Sequence, residues 1–119
     1  MKIESKSLML GDWVKSRTGM NVKIVGIDHD YPSVYEPIPL TEENLEKNGG
    51  KNNYIQPNDD LDIEYRYSAE GGVFIRVTEI GDEMTPSRTI FAKELDYVHQ
   101  YQHLLRLCGL TKLADHFNL

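Results

Sequence analysis

Hydrophobic and polar positions alternate most regularly between residues 61 and 80. Leu61, Ile63, Tyr65 and Tyr67 take turns with Asp62, Glu64, Arg66 and Ser68, the period of two that lays one face of a strand on a core. Ala69-Glu70-Gly71-Gly72 reads as a turn. The chain then returns with Val73, Ile75 and Val77 on one face and Phe74, Arg76 and Thr78 on the other. This pattern predicts an antiparallel hairpin. Gly81-Asp82-Glu83 ends it, and Arg88 to Ala92, following Pro86, predicts one further short strand.

From residue 94 the period changes to that of a helix. At 100° per residue Glu94, Tyr97, Val98, Tyr101, Leu104, Leu105 and Cys108 gather on one side, with His99, Gln102, His103 and Arg106 facing away. The spacing predicts an amphipathic helix over 94–108, stopped by Gly109. A short second helix follows, with Thr111 as its cap and Leu113, Ala114 and Phe117 at helical spacing. At the other end, residues 8–30 read as a hairpin: Leu8 to Lys15, a turn at Ser16-Arg17-Thr18-Gly19, then Asn21 to Ile27. Gly11 and Gly26 mark bends, and Trp13 is expected in the core. Such short bent strands open SH3-like small barrels, a likeness of fold that carries no function.

Between these blocks, Pro32, Pro37, Pro39 and Pro57 interrupt regular structure, and Asn48 to Asn53 is rich in turn residues. One short helix fits there. Thr41 caps it, Glu42 and Glu43 sit at its positive end, Leu45 supplies the apolar contact, Lys47 lies in the last turn, and Gly49 suits the left-handed position after it. Two turns cannot stand alone in water, so this helix must pack on the sheet.

Composition narrows the class. Of 119 residues, 31 are Leu, Ile, Val or Phe, enough to build a core and above the content of a disordered chain. The length predicts one domain, 1–119. The net charge of −6 argues against a surface that wraps nucleic acid or an anionic membrane. It is also unevenly spread: +3 over residues 1–26, −8 over 27–70 and −1 over 71–119. The acidic excess marks residues 28–60 as a long connection with its own character. No apolar run reaches the length of a secretory core or a membrane span, and a cytoplasmic protein is the expectation. The single Cys108 excludes a disulfide within the chain and a multi-cysteine zinc site.

Candidate chemistry is sparse. His99 and His103, four apart on a helix, have the spacing of a metal pair. A zincin would need a glutamate directly after the first histidine, where this chain has Gln100. Asp28-His29-Asp30 fits a polar turn as well as a site, and Cys108 lies on the apolar side of its helix, where a thiol is inert. No phosphate loop or nucleophile elbow is present. Neither a catalytic residue, a metal nor a cofactor is expected. Tyr31, Tyr35 and Tyr54 stand out more, since tyrosines combine apolar area with a polar handle at interfaces. They either contact a partner or anchor the long connection. Lys15, Arg17 and Lys23, on the basic opening hairpin, are the residues a phosphate backbone would meet.

Two stretches, Pro37 to Gly49 and Tyr97 to Leu104, resemble those of a group of small uncharacterised proteins from anaerobic gut bacteria and their mobile elements. That group carries an IPLTEE-x-L-x-K-x-G segment and a YVHQLQNL-like C-terminal helix, and the Gly11-Asp12-Trp13-Val14 stretch fits it too. The resemblance implies a shared fold and no known activity. His99 matches its pattern and His103 falls where the group has Asn, which implies structural hydrogen-bonding roles between helix and sheet for His99 and Gln100. The reading is an α+β domain: a small bent antiparallel sheet of four or five strands, one short helix and one longer amphipathic helix. The expected function is a non-catalytic interaction module accessory to a phage or mobile element, binding an unknown protein through 28–60. A weak nucleic-acid-associated protein is the alternative, and a hydrolase built around His99 or His29 the third.

Overall fold

The computed structural model describes residues 3–4, 8–24, 34–68 and 71–119. The far end of the predicted opening hairpin, with Gly26, Asp28, His29, Asp30 and Tyr31, lies outside them, as do Ala69 and Glu70 of the predicted turn. Runs of strands and helices follow one another in an α+β arrangement, with eight strands and three short helices among the described residues. None of those helices is long and apolar enough to cross a membrane. The chain divides into two compact units: Met1–Pro39 with Tyr97–Phe117, and Leu40–Asp96 with Asn118–Leu119. The residues 34–60 of the acidic connection are thus shared between the two.

The first unit holds four short strands and two helices. Strands β2 (Trp13–Lys15) and β3 (Asn21–Lys23) pair antiparallel, Val14 opposite Val22. The pairing continues past them, where Ile24 N–H donates to Asp12 C=O and Gly11 N–H to Ile24 C=O. The predicted turn at Ser16–Gly19 is present, with Gly19 in the left-handed region. Strand β1 (Ile3–Glu4) pairs with β4 (Val34–Tyr35). Reciprocal backbone bonds between Lys15 and Glu36, at 2.8 and 2.9 Å, stitch β2 to the chain after β4. Leu8, Val14 and Ile24 form the apolar cluster of this hairpin, with Val22 and Tyr35 packed against it.

Helix α2 spans Val98–Leu107 and α3 spans Thr111–Asp115. Val98, Tyr101, Leu104 and Leu105 are buried, as periodicity predicts, and Phe117 meets Tyr101 edge-on at 5.9 Å. The predicted start at residue 94 is corrected by four residues. Lys93–Leu95 instead finish a strand, because their ladder partners Val73 to Ile75 are already in place. Leu95 is inward on this strand, whereas at 100° per residue it falls between Gln102 and Arg106 on the polar side, so the helical period fits poorly here.

The second unit is built on a four-stranded antiparallel sheet in the order β5 (Tyr54–Ile55), β6 (Leu61–Tyr67), β7 (Val73–Glu79), β8 (Arg88–Leu95). The opening hairpin is not one of its strands. Leu61, Ile63, Tyr65, Val73, Ile75 and Val77 are all buried, so the alternation in the sequence is the alternation in space. Strand β8 runs three residues beyond its predicted end and carries a bulge where Val77 faces Phe91 but Thr78 faces Thr89.

Helix α1 (Glu42–Lys47) begins as predicted. Thr41 Oγ1 accepts from Asn44 N–H, and Asn44 Oδ1 accepts from Thr41 N–H, a capping box with Asn in place of Glu. Leu45 is fully buried. Asn52 and Asn53, both in the left-handed region, then form a two-residue turn closed by paired Lys51 and Tyr54 bonds. Gly50 permits a close approach, since a Cβ there would lie 2.4 Å from the Tyr65 hydroxyl.

Candidate functional site

The polar chemistry of the first unit converges on Asp12, which is fully buried. Gly11, at φ +89°, turns the chain immediately before it, and any Cβ at that position would come within 2.9 Å of the Arg106 guanidinium. The Asp12 carboxylate then faces α2. Its Oδ2 accepts from Met9 N–H at 2.8 Å and lies 2.5 Å from His103 Nε2. Its Oδ1 accepts from Arg106 Nη1 at 2.5 Å. The other Arg106 nitrogen, Nη2, donates to Leu10 C=O at 3.0 Å and to Asp115 Oδ1 at 3.3 Å. A lone carboxylate in such a place would be costly. Burial pushes the Asp12 pKa up, but hydrogen bonds from His103, Arg106 and Met9 outweigh it and hold the group below the ordinary carboxylate value.

Gln102 works beside this cluster. Its Oε1 accepts from Trp13 N–H at 2.8 Å, while its Nε2 donates to Gly11 C=O at 2.8 Å and Ala114 C=O at 3.0 Å. The amide is wholly buried with both ends satisfied. Trp13, half-buried, adds a bond from Nε1 to Phe117 C=O at 2.6 Å. The polar face of α2 was expected to look into solvent. It is instead covered by residues 9–13, leaving the Arg106 side chain 14% exposed and that of His103 23%.

His99 is buried, stacked on Tyr97 at 6.0 Å and edge-on to His103 at 5.7 Å. Its Nδ1 has no hydrogen-bond partner among the described residues. Burial, and then the neighbouring His103, lower its pKa, against a smaller opposite pull from Asp12. Gln100 caps α2, its Oε1 accepting from Tyr97 N–H at 3.2 Å.

The cluster has the look of a histidine–carboxylate pair, but its chemistry is that of a clasp. Among the described residues no serine, threonine or cysteine is hydrogen-bonded to His103. None of their His, Cys, Asp and Glu side chains form a group of three able to hold a metal ion. A cation placed beside Asp12 would also meet Arg106. Burial raises the pKa of Cys108, which makes it a weak nucleophile.

The other residues singled out by the sequence are dispersed. Tyr35 is half-buried against the Leu8–Val14–Ile24 cluster, the anchoring role. Tyr54 is 50% exposed. Lys15 is half-buried on β2 and Arg17 is exposed at the turn, while the Lys23 ammonium donates to the Asp115 carbonyl.

Sequence reasoning passed over the outer face of the four-stranded sheet. One cross-strand row reads Tyr54, Glu64, Arg76, Ala92, and the next reads Arg66, Phe74, Glu94. Phe74 is 41% exposed. Partial burial works against the charge on Glu64, yet the Arg76 and Arg66 guanidiniums on either side hold its pKa below the ordinary value. The alternation had set Phe74 and Arg76 opposite the core, which was the available signal. At one end of the sheet a groove of about 650 Å³ is lined by Asp59, Asp60, Glu79 and Asp82 with Arg88, so part of the acidic excess gathers there. No protein-family model, curated protein or solved structure matches this chain.

Proposed function

We propose that the chain is a non-catalytic protein-interaction module, accessory to a phage or mobile element, and that it meets its partner through the outer face of the four-stranded sheet. The observation that carries this reading is the pair Tyr54 and Phe74, both exposed on one face two strands apart, with Arg66 and Arg76 between and beside them. Aromatic residues and arginine are the types enriched where proteins meet. Of the tyrosines singled out by the sequence, Tyr54 belongs to this face, while Tyr35 packs on the Leu8–Val14–Ile24 cluster and Tyr31 lies outside the described residues. Nucleic acid suits the face less well, because Asp62, Glu64 and Glu94 share it with the two arginines.

A photo-crosslinking residue placed at Phe74 should give a discrete protein adduct in cells, while the same residue at Thr18 should not. Adding Tyr54→Ala should weaken the Phe74 adduct without altering the circular dichroism spectrum. Equal labelling from both positions would remove the support for this face.

A further inference from the structure

The buried histidine beside the Asp12 cluster has no part in that proposal. The imidazole of His99 is buried, its Nδ1 meets no acceptor among the described residues, and its nearest polar ring is a second histidine. A neutral ring tolerates such a site. A protonated one does not, because it needs an acceptor on both nitrogens and would stand edge-on to His103, whose own acceptor is the Asp12 carboxylate.

We infer that His99 is an acid-sensitive seat: taking up a proton there loosens residues 9–13 from α2 while the four-stranded sheet stays folded. The rings beside it and the charged groups of the adjoining Asp12 cluster define the balance. Tyr97, just before its helix, stacks on it; on the helix itself are His103, edge-on to it, and Arg106, three residues beyond His103. From the β2 side comes Asp12, whose negative charge favours the proton but is already shared by His103 and Arg106. From α3 comes Asp115, bonded to Arg106, and from β3 comes Lys23, bonded to the Asp115 carbonyl. Arg106 and Lys23 both add positive charge to the cluster, and its fully buried carboxylate, Asp12, is committed.

The sign follows from linkage. The unfolded or opened segment takes a proton near the ordinary histidine value of 6.5, whereas the seated form resists it. The opened form therefore binds more protons, and the seat weakens as pH falls through that value. The window lies well above the one in which Asp12 itself protonates, so the two effects separate.

Amide hydrogen exchange at about pH 7.5 and about pH 5.5, corrected for intrinsic rates, reads this directly. Protection should fall in residues 13–24 and 98–107 on acidification and persist in 61–67 and 73–79. In His99→Gln, which keeps a polar side chain and cannot titrate, the difference between the two pH values should disappear. An unchanged profile in the wild type, an equal loss in both units, or a pH effect that survives His99→Gln would each overturn the inference. Should His99→Gln not fold, the His99 ring resonance of the wild type is titrated by NMR. A midpoint below 6.5 is expected, and one at or above it overturns the idea.

Discussion

Strands β6 and β7 build their interior from Leu61, Ile63, Tyr65, Val73, Ile75 and Val77, six buried side chains at strict two-residue spacing. The unit that carries α2 adds a different kind of interior to its apolar cluster. There a buried carboxylate and a buried amide sit between the 9–13 segment and the helix, tied by Arg106 and His103, and a buried imidazole, His99, lies edge-on to His103. Apolar burial contains no titrating group and tolerates repacking. Polar burial is conditional, because each group depends on its partner being present and correctly charged. The two units should therefore respond differently to the same perturbation.

Substitutions that break each interior test that difference. Asp12→Ala would leave Arg106 and His103 facing a void, and removal of one partner from a buried pair costs about 3–5 kcal/mol. Urea denaturation should show that loss, diminishing as pH falls. Asp12 is ionised in the fold below its ordinary range, so its stabilisation is complete above about pH 4 and is lost as acid protonates it. Ile75→Ala should cost about 2–5 kcal/mol by leaving a cavity, with no such pH dependence. Thr41→Ala removes the α1 cap and should cost about 1 kcal/mol. Arg66→Ala, on an exposed ion pair, should change stability by less than about 0.5 kcal/mol. A comparable pH slope for Asp12→Ala and Ile75→Ala would erase the distinction between the units.

The same contrast explains what could be read in the sequence. The β6–β7 hairpin and the α1 cap are local: alternation and a Thr-x-x-Asn spacing specify them over a few residues. The clasp is not local, since Asp12 lies 91 residues from His103 and 94 from Arg106. A helical wheel sorts residues by polarity and cannot show that a distant carboxylate will cover the polar side. Gly11-Asp12 was legible only as a bend. The β8–α2 boundary left its trace in Leu95, buried on the strand but on the polar side of the helical wheel. Alternation likewise placed Phe74 away from the core without showing that its face is open to a partner.

A double-mutant cycle between Asp12→Asn and Arg106→Gln bears most directly on the claim that these side chains act as one clasp. Unfolding free energies of the wild type, both single variants and the double variant at neutral pH give their coupling. The clasp predicts a coupling of about 1–3 kcal/mol, with the double variant less impaired than the two singles together imply. Effects that add to within about 0.5 kcal/mol would contradict it.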